Sequence, residues 1–79
     1  MPHEEIQAEM AATVLHLQSA SGSRVDDGDV LLLLESMKME IPVVAEGSGT
    51  VVRYAVTPGA AVREGDLMVV IEQDPPRTG

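Results

Sequence analysis

Glu35-Ser36-Met37-Lys38-Met39-Glu40-Ile41-Pro42 lies near the middle of a 79-residue chain, between two apolar runs, Val30 to Leu34 and Ile41 to Ala45. Two strand-like runs joined by a short segment of mixed polarity predict a β-hairpin, with Lys38 at or beside its turn and pointing into water. An exposed lysine is ordinarily just a solvated charge. Here, however, a methionine stands on each side of it. Exposed thioethers offer a soft, adaptable apolar surface that another protein can grip. A lysine framed in this way suits recognition and modification by an enzyme.

Outward from the hairpin the chain repeats itself. Shifted by 37 residues, Ala8-Glu9 fall on Ala45-Glu46, Thr13-Val14 on Thr50-Val51 and Gly22 on Gly59. Val25 falls on Val62, Gly28-Asp29 on Gly65-Asp66 and Glu35 on Glu72, without a gap. Two copies are too few for a solenoid, which needs at least three. They predict one compact domain over residues 6–73 with a quasi-two-fold axis. The copies cover about 6–36 and 41–73, and a hairpin turn over 36–40 joins them. Residues 1–5 are expected to be a frayed start, and 74–79, polar and proline-rich, a disordered tail.

Within each copy a strand comes first, Thr13 to Ser19 or Thr50 to Val56. Alternation predicts that Val52, Tyr54 and Val56 share one face, with Leu15 and Leu17 in the same inward phase of the first copy. Gly22 and Pro58-Gly59 mark a turn, and Val25 or Val62 opens a short strand. Asp27-Gly28-Asp29 and Glu64-Gly65-Asp66 mark a second turn. A five-residue apolar strand closes each copy. Sustained helical periodicity is absent. Short strands at even spacing predict an all-β fold, a flattened antiparallel barrel or sandwich of two quasi-two-fold related four-stranded sheets.

Composition narrows the function classes. A chain this short buries only about 60% of its unfolded surface. Tyr54 is its one aromatic residue, so the core must come from Val, Leu and Ile, which leans towards β. A formal net charge of −8 argues against nucleic acid and anionic membrane partners. The longest apolar runs, five residues, are too short for a spanning helix. Absence of cysteine is compatible with a cytoplasmic location. His3 and His16 are the only histidines, so no metal site is expected. Asp26-Asp27-Gly28-Asp29 reads as turn chemistry, because a calcium loop opening at Asp26 would need its glutamate at Met37. Catalytic constellations are lacking. Met10 and Met68 are expected in the core, as is Val56, whose counterpart Ser19 weakens the first copy there.

Glu35-Ser36-Met37-Lys38-Met39 resembles the E-A-M-K-M attachment motif of biotin carboxyl carrier proteins. From about Ile6 to Glu72 the chain is similar to the small biotinyl domains of acyl-CoA carboxylases. The resemblance implies a biotinyl/lipoyl fold with the modified lysine at a hairpin tip, and biotin held covalently on Lys38. It implies that Glu35, Ser36, Met37, Met39 and Glu40 are read by the modifying and partner enzymes. Those partners are biotin protein ligase, biotin carboxylase and a carboxyltransferase acting on an acyl-CoA, as in fatty acid biosynthesis. The domain itself is then a carrier and not an enzyme, here in a small stand-alone form. Nothing in the sequence activates the Lys38 amine, so the ligase must supply both the activated acyl group and the base. The family pattern is departed from at two places, the Glu9 to Ala12 turn and Ser19. Glu9-Met10-Ala11-Ala12 replaces a Pro-x-Pro-Gly turn, with strain expected at Ala12 if that position needs a positive φ. The Ser19 to Gly28 connection is also too short for the thumb loop of some relatives. Two alternatives stay open: a lipoyl carrier, against which the methionine flanks count, and an unmodified interaction domain of the same fold.

Overall fold

The computed structural model describes residues 3–75, so Met1, Pro2 and positions 76–79 of the expected tail lie outside the described residues. The strands are β1 (His3–Gln7), β2 (Ala12–Leu17), β3 (Arg24–Val25), β4 (Val30–Ser36), β5 (Met39–Val44), β6 (Gly49–Tyr54), β7 (Ala61–Val62) and β8 (Leu67–Gln73). They form two antiparallel four-stranded sheets with orders β1-β8-β6-β3 and β5-β4-β2-β7. Under the 37-residue shift, β2, β3 and β4 fall residue for residue on β6, β7 and β8. Exchanging the copies converts one strand order into the other. Each sheet therefore takes strands from both copies, and neither copy holds a complete sheet. The sandwich is elongated, 44 × 19 × 18 Å.

Identical residues of the repeat lock its turns. Asp29 Oδ2 accepts the Asp26 N–H at 2.8 Å, and Asp66 Oδ2 accepts the Arg63 N–H at 2.9 Å. Gly28 and Gly65, at φ 91° and 92°, supply the left-handed residue that such a turn requires. Their N–H groups donate to the Ala45 and Ala8 carbonyls, each at 2.8 Å, extending the β4–β5 and β1–β8 ladders within each sheet. The acids at 26–29 are therefore turn and cross-strand ligands, and Asp27 Oδ1 accepts the Gly47 N–H at 2.9 Å.

The core is aliphatic, with Leu31, Leu32, Val14, Val51, Val69 and Met68 its largest enclosed side chains. Full burial of each such side chain contributes about 1.5–3 kcal/mol. Period-two alternation does not place them all. The register slips by one residue at Leu15 on β2 and Val52 on β6, and again at Leu31 on β4 and Met68 on β8. Each slip is a bulge that resets which residues face inward. Val14 and Val51 consequently take the inward positions expected of Leu15 and Val52, and Val52 is left 41% exposed. Beyond the bulge the phase recovers, so Leu17, Tyr54 and Val56 pack on the core as expected. Bulges at Leu31 and Met68 likewise explain how consecutive residues of β4 and β8 are all buried.

Five further expectations are corrected. Residues 3–5 are the first half of β1, held by pairing to Val70, Ile71 and Glu72. Asp74 belongs to the domain, because its N–H donates to the Ser48 carbonyl and its carboxylate pairs with Arg24. Met10 lies at the surface, 44% exposed, whereas Met68 is enclosed. Ala12 has no positive φ and is not strained. Ser19 does not weaken its site simply by being polar. Its Oγ donates to the Val30 carbonyl at 3.0 Å, and its own carbonyl lies 2.6 Å from the Tyr54 hydroxyl.

Candidate functional site

The two copies meet at the β4–β5 hairpin. Its ladder runs through Leu33↔Pro42, Leu34↔Ile41 and Glu35↔Glu40 to Ser36↔Met39, leaving a two-residue turn of Met37 and Lys38. Met39 is thus the first residue of β5, and the turn is shorter than the expected 36–40. Pro42 is tolerated because β5 is an edge strand, where a missing N–H breaks no outer ladder.

Leu34 is buried in the core and Ile41 packs against it. That cross-strand pair anchors the hairpin, and the next two pairs project beyond the core. On the inner side β2 pairs with β4 no further than Thr13↔Glu35, so Ser36 is bonded only to Met39. In the second copy the equivalent ladder continues one step further, to Gly49↔Gln73. Ala12 stands where Gly49 stands in the repeat, and Gly49 has room only for hydrogen. A Cβ built there would overlap the Glu72 carbonyl oxygen and lie 3.1 Å from Ile71 Cγ2. Alanine at position 12 therefore goes with an earlier end to the β2–β4 ladder.

Met37 and Lys38 have φ of 53° and 65°, both left-handed. Two successive positive φ values define the type I′ turn that matches the twist of a hairpin. Asn-Gly usually fills it. With two ordinary side chains instead, each position costs about 1–2 kcal/mol. The β4–β5 ladder and the Leu34–Ile41 anchor hold that strain in place. Its outcome is full presentation: Met37 is 91% exposed and Met39 62%, with Lys38, Glu35 and Glu40 exposed too and Ser36 half-buried. Glu35, Ser36, Met37, Lys38, Met39 and Glu40 all lie on this one projection. Glu35 and Glu40 are direct cross-strand neighbours, so two like charges share one face below the tip.

One decisive signal lay in plain counting. Lys38 is the chain's only lysine. Among the described residues its amine enters no ion pair or hydrogen bond. A group that must be held through an amide to a lysine amine therefore has one side-chain position available, and that position is solvent-facing and unengaged.

A family model described as biotin-requiring enzyme, for biotin and lipoyl attachment, matches residues 4–74. The chain belongs to this biotin/lipoyl attachment family. Its sandwich of two four-stranded sheets is the fold of biotinyl and lipoyl domains, and the hairpin just described falls inside the matched region. The biotinylated protein TB7.3 homolog of Mycobacterium leprae (strain TN) is 47% identical over 68 residues, 86% of this chain and 96% of that protein. Among solved structures, a single-chain, multi-domain long-chain acyl-CoA carboxylase superposes with a TM-score of 0.85 at 32% identity. There the match covers 91% of this chain and only 7% of the carboxylase. The lipoyl domain of the 2-oxoglutarate dehydrogenase complex from Azotobacter vinelandii superposes with a TM-score of 0.79 at 21% identity, covering 90% of this chain and 98% of that domain. That likeness concerns the fold alone. The family is one of carrier domains, and the TB7.3 homolog is by its name biotinylated.

Proposed function

We propose that the protein is a biotin carboxyl carrier whose biotin is joined by an amide to Nζ of Lys38. What supports this reading is that the only lysine of a biotin/lipoyl family member stands exposed on a two-residue turn, unpaired among the described residues. Biotin bound there supplies a ureido nitrogen able to carry a carboxyl group. The chain supplies the rest. The β4–β5 ladder fixes the turn, the left-handed backbone turns Met37 and Lys38 outward, and the lysine stem lends reach. A tethered arm on a fixed base keeps the carried group at high effective concentration near each enzyme it visits.

Under this proposal the carboxyl group is received at a biotin carboxylase and handed to a carboxyltransferase acting on an acyl-CoA, as fatty acid biosynthesis requires. Biotin protein ligase installs the biotin, reading Glu35, Ser36, Met37, Met39 and Glu40 around Lys38. The methionines offer apolar grip, and the glutamates favour a cationic counterpart on each partner. The cell compartment that suits a cysteine-free chain with such partners is the cytoplasm.

The experiment is incubation with a biotin protein ligase, ATP and biotin, followed by intact mass and peptide mapping. One biotinyl group on Lys38 is expected. Refusal by the biotin ligase together with acceptance by a lipoyl ligase would move the function to lipoyl transfer. Refusal by both would favour the interaction-domain reading.

A further inference from the structure

Sulfur in this chain is unevenly placed. There is no cysteine, so methionine thioethers are its only oxidisable sulfurs. Met68 is enclosed in the core at 2% exposure, and Met10 is partly covered. Met37 and Met39, the two most exposed large apolar side chains among the described residues, bracket Lys38. Thioether oxidation follows access, so a peroxide meets the attachment tip before it meets the rest of the domain.

From this placement we infer that Met37 and Met39 form a redox-sensitive modification site whose oxidation closes Lys38 to the enzyme that biotinylates it. The inference rests on the carrier reading of Lys38. Its chemistry is a two-electron oxygen transfer from a hydroperoxide. The peroxide O–O bond breaks, an S=O bond forms on the thioether, and the peroxide leaves as water or an alcohol. A thiol-dependent methionine sulfoxide reductase reverses it, taking two electrons from a dithiol and releasing the oxygen as water.

The geometry accounts for the effect. Met37 sits at φ 53° on the turn itself, and Met39 pairs with Ser36 at the last rung of the ladder. Neither side chain is covered by the core, so a sulfoxide there leaves the fold alone. It does convert a flexible apolar contact on each side of the lysine into a polar, chiral one. An enzyme that grips those thioethers loses both contacts together. Oxidation of Met68, by contrast, would first require the sandwich to open.

The test uses the full chain carrying Met10→Leu, which removes the half-exposed sulfur far along the chain from the tip. Hydrogen peroxide is applied until peptide mapping shows oxygen on Met37 and Met39 with Met68 unchanged. The initial rate of biotinylation by a biotin protein ligase is then compared with that of untreated protein. A fall of about tenfold is expected for two lost thioether contacts. Recovery should follow treatment with sulfoxide reductases and dithiothreitol. A second protein, Met37→Leu with Met39→Leu, is measured against its own untreated rate, and peroxide should leave that rate unchanged. A doubly oxidised tip biotinylated within about twofold of the untreated rate overturns the inference. So does an equal loss in the leucine variant, which would place the damage elsewhere. If the untreated protein takes no biotin at Lys38, the carrier reading itself falls, a result readily told from the others.

Discussion

Glu35 and Glu40 stand directly opposite each other across β4 and β5, two like charges on the rung below Ser36 and Met39. Opposed like charges destabilise a strand pair, typically by a few tenths to about 1 kcal/mol. The hairpin keeps them although both are exposed and either side chain has room to differ. Glu35→Gln should therefore raise stability by about 0.2–1 kcal/mol, most clearly at low salt, when followed by urea unfolding. The same variant should be a slower substrate for a biotin protein ligase. A slower substrate with unchanged stability would mean that the repulsion is already relieved by solvent.

Lys38→Arg keeps the charge and the exposed stem while removing the primary amine. Its unfolding free energy should stay within about 0.5 kcal/mol of the parent, as for surface substitutions generally. Its intact mass after ligase treatment should show no biotin. Lys38 is the only lysine, so a variant that still gains biotin would need an attachment outside lysine chemistry.

Met37 occupies a left-handed position while making little contact with the rest of the protein. Met37→Gly should relieve the steric cost and stabilise the domain by about 1 kcal/mol, less the entropy glycine adds to the unfolded chain. Thermal unfolding reads that gain, whereas the rate of biotinylation by a ligase should fall with the lost thioether contact. A melting temperature that falls instead would show Met37 contributing packing that its exposure does not suggest.

Gly49 and Ala12 are equivalent in the repeat yet should respond differently. Gly49→Ala forces a methyl group onto the Glu72 carbonyl and should cost about 1–3 kcal/mol. Ala12→Gly should cost no more than about 1 kcal/mol, from backbone entropy alone. Hydrogen exchange at Ser36 and Met39 offers a finer reading. Added protection there in Ala12→Gly would show the β2–β4 ladder growing one step towards the tip.

Arg24 and Asp74 tie β3 to the residue after β8 through both guanidinium arms. The hydrogen-bonded guanidinium holds the Asp74 carboxyl below its ordinary value of 3.8. A folded-state pKa that is depressed contributes stability above the unfolded value and loses it as pH falls through the folded one. Asp74→Asn should thus be less stable than the parent at neutral pH. The difference should shrink as the medium is acidified below about pH 4. Urea titrations at several pH values would reveal it, and a constant difference down to strong acid would count against the pairing.

Much of the fold was written in the repeat. Identity at Gly28/Gly65, Asp29/Asp66 and Ala8/Ala45 marks turns whose carboxylates and carbonyls must meet the same N–H groups in each copy. The interleaving of the copies was not legible, because a period along the chain says nothing about which strands lie side by side. Nor were the bulges at Leu15 and Val52. A bulge changes phase without a residue type that declares it, so alternation assigned Val52 inward and Val51 outward. At the tip, the flanking apolar runs and the paired methionines located Lys38. The type I′ turn stayed hidden because neither Met37 nor Lys38 is the Asn or Gly that such a turn normally shows.

A connection of two residues leaves no slack. A longer loop would let a carried group wander by flexing the backbone beneath it. Here the pivot is bolted to the last rung of a ladder, and freedom begins only in the lysine side chain and whatever it bears. The backbone position from which any visiting enzyme must measure its distance is therefore the same at every encounter. Inserting even a single residue between Ser36 and Met39 would blur that distance while leaving every chemical group in place.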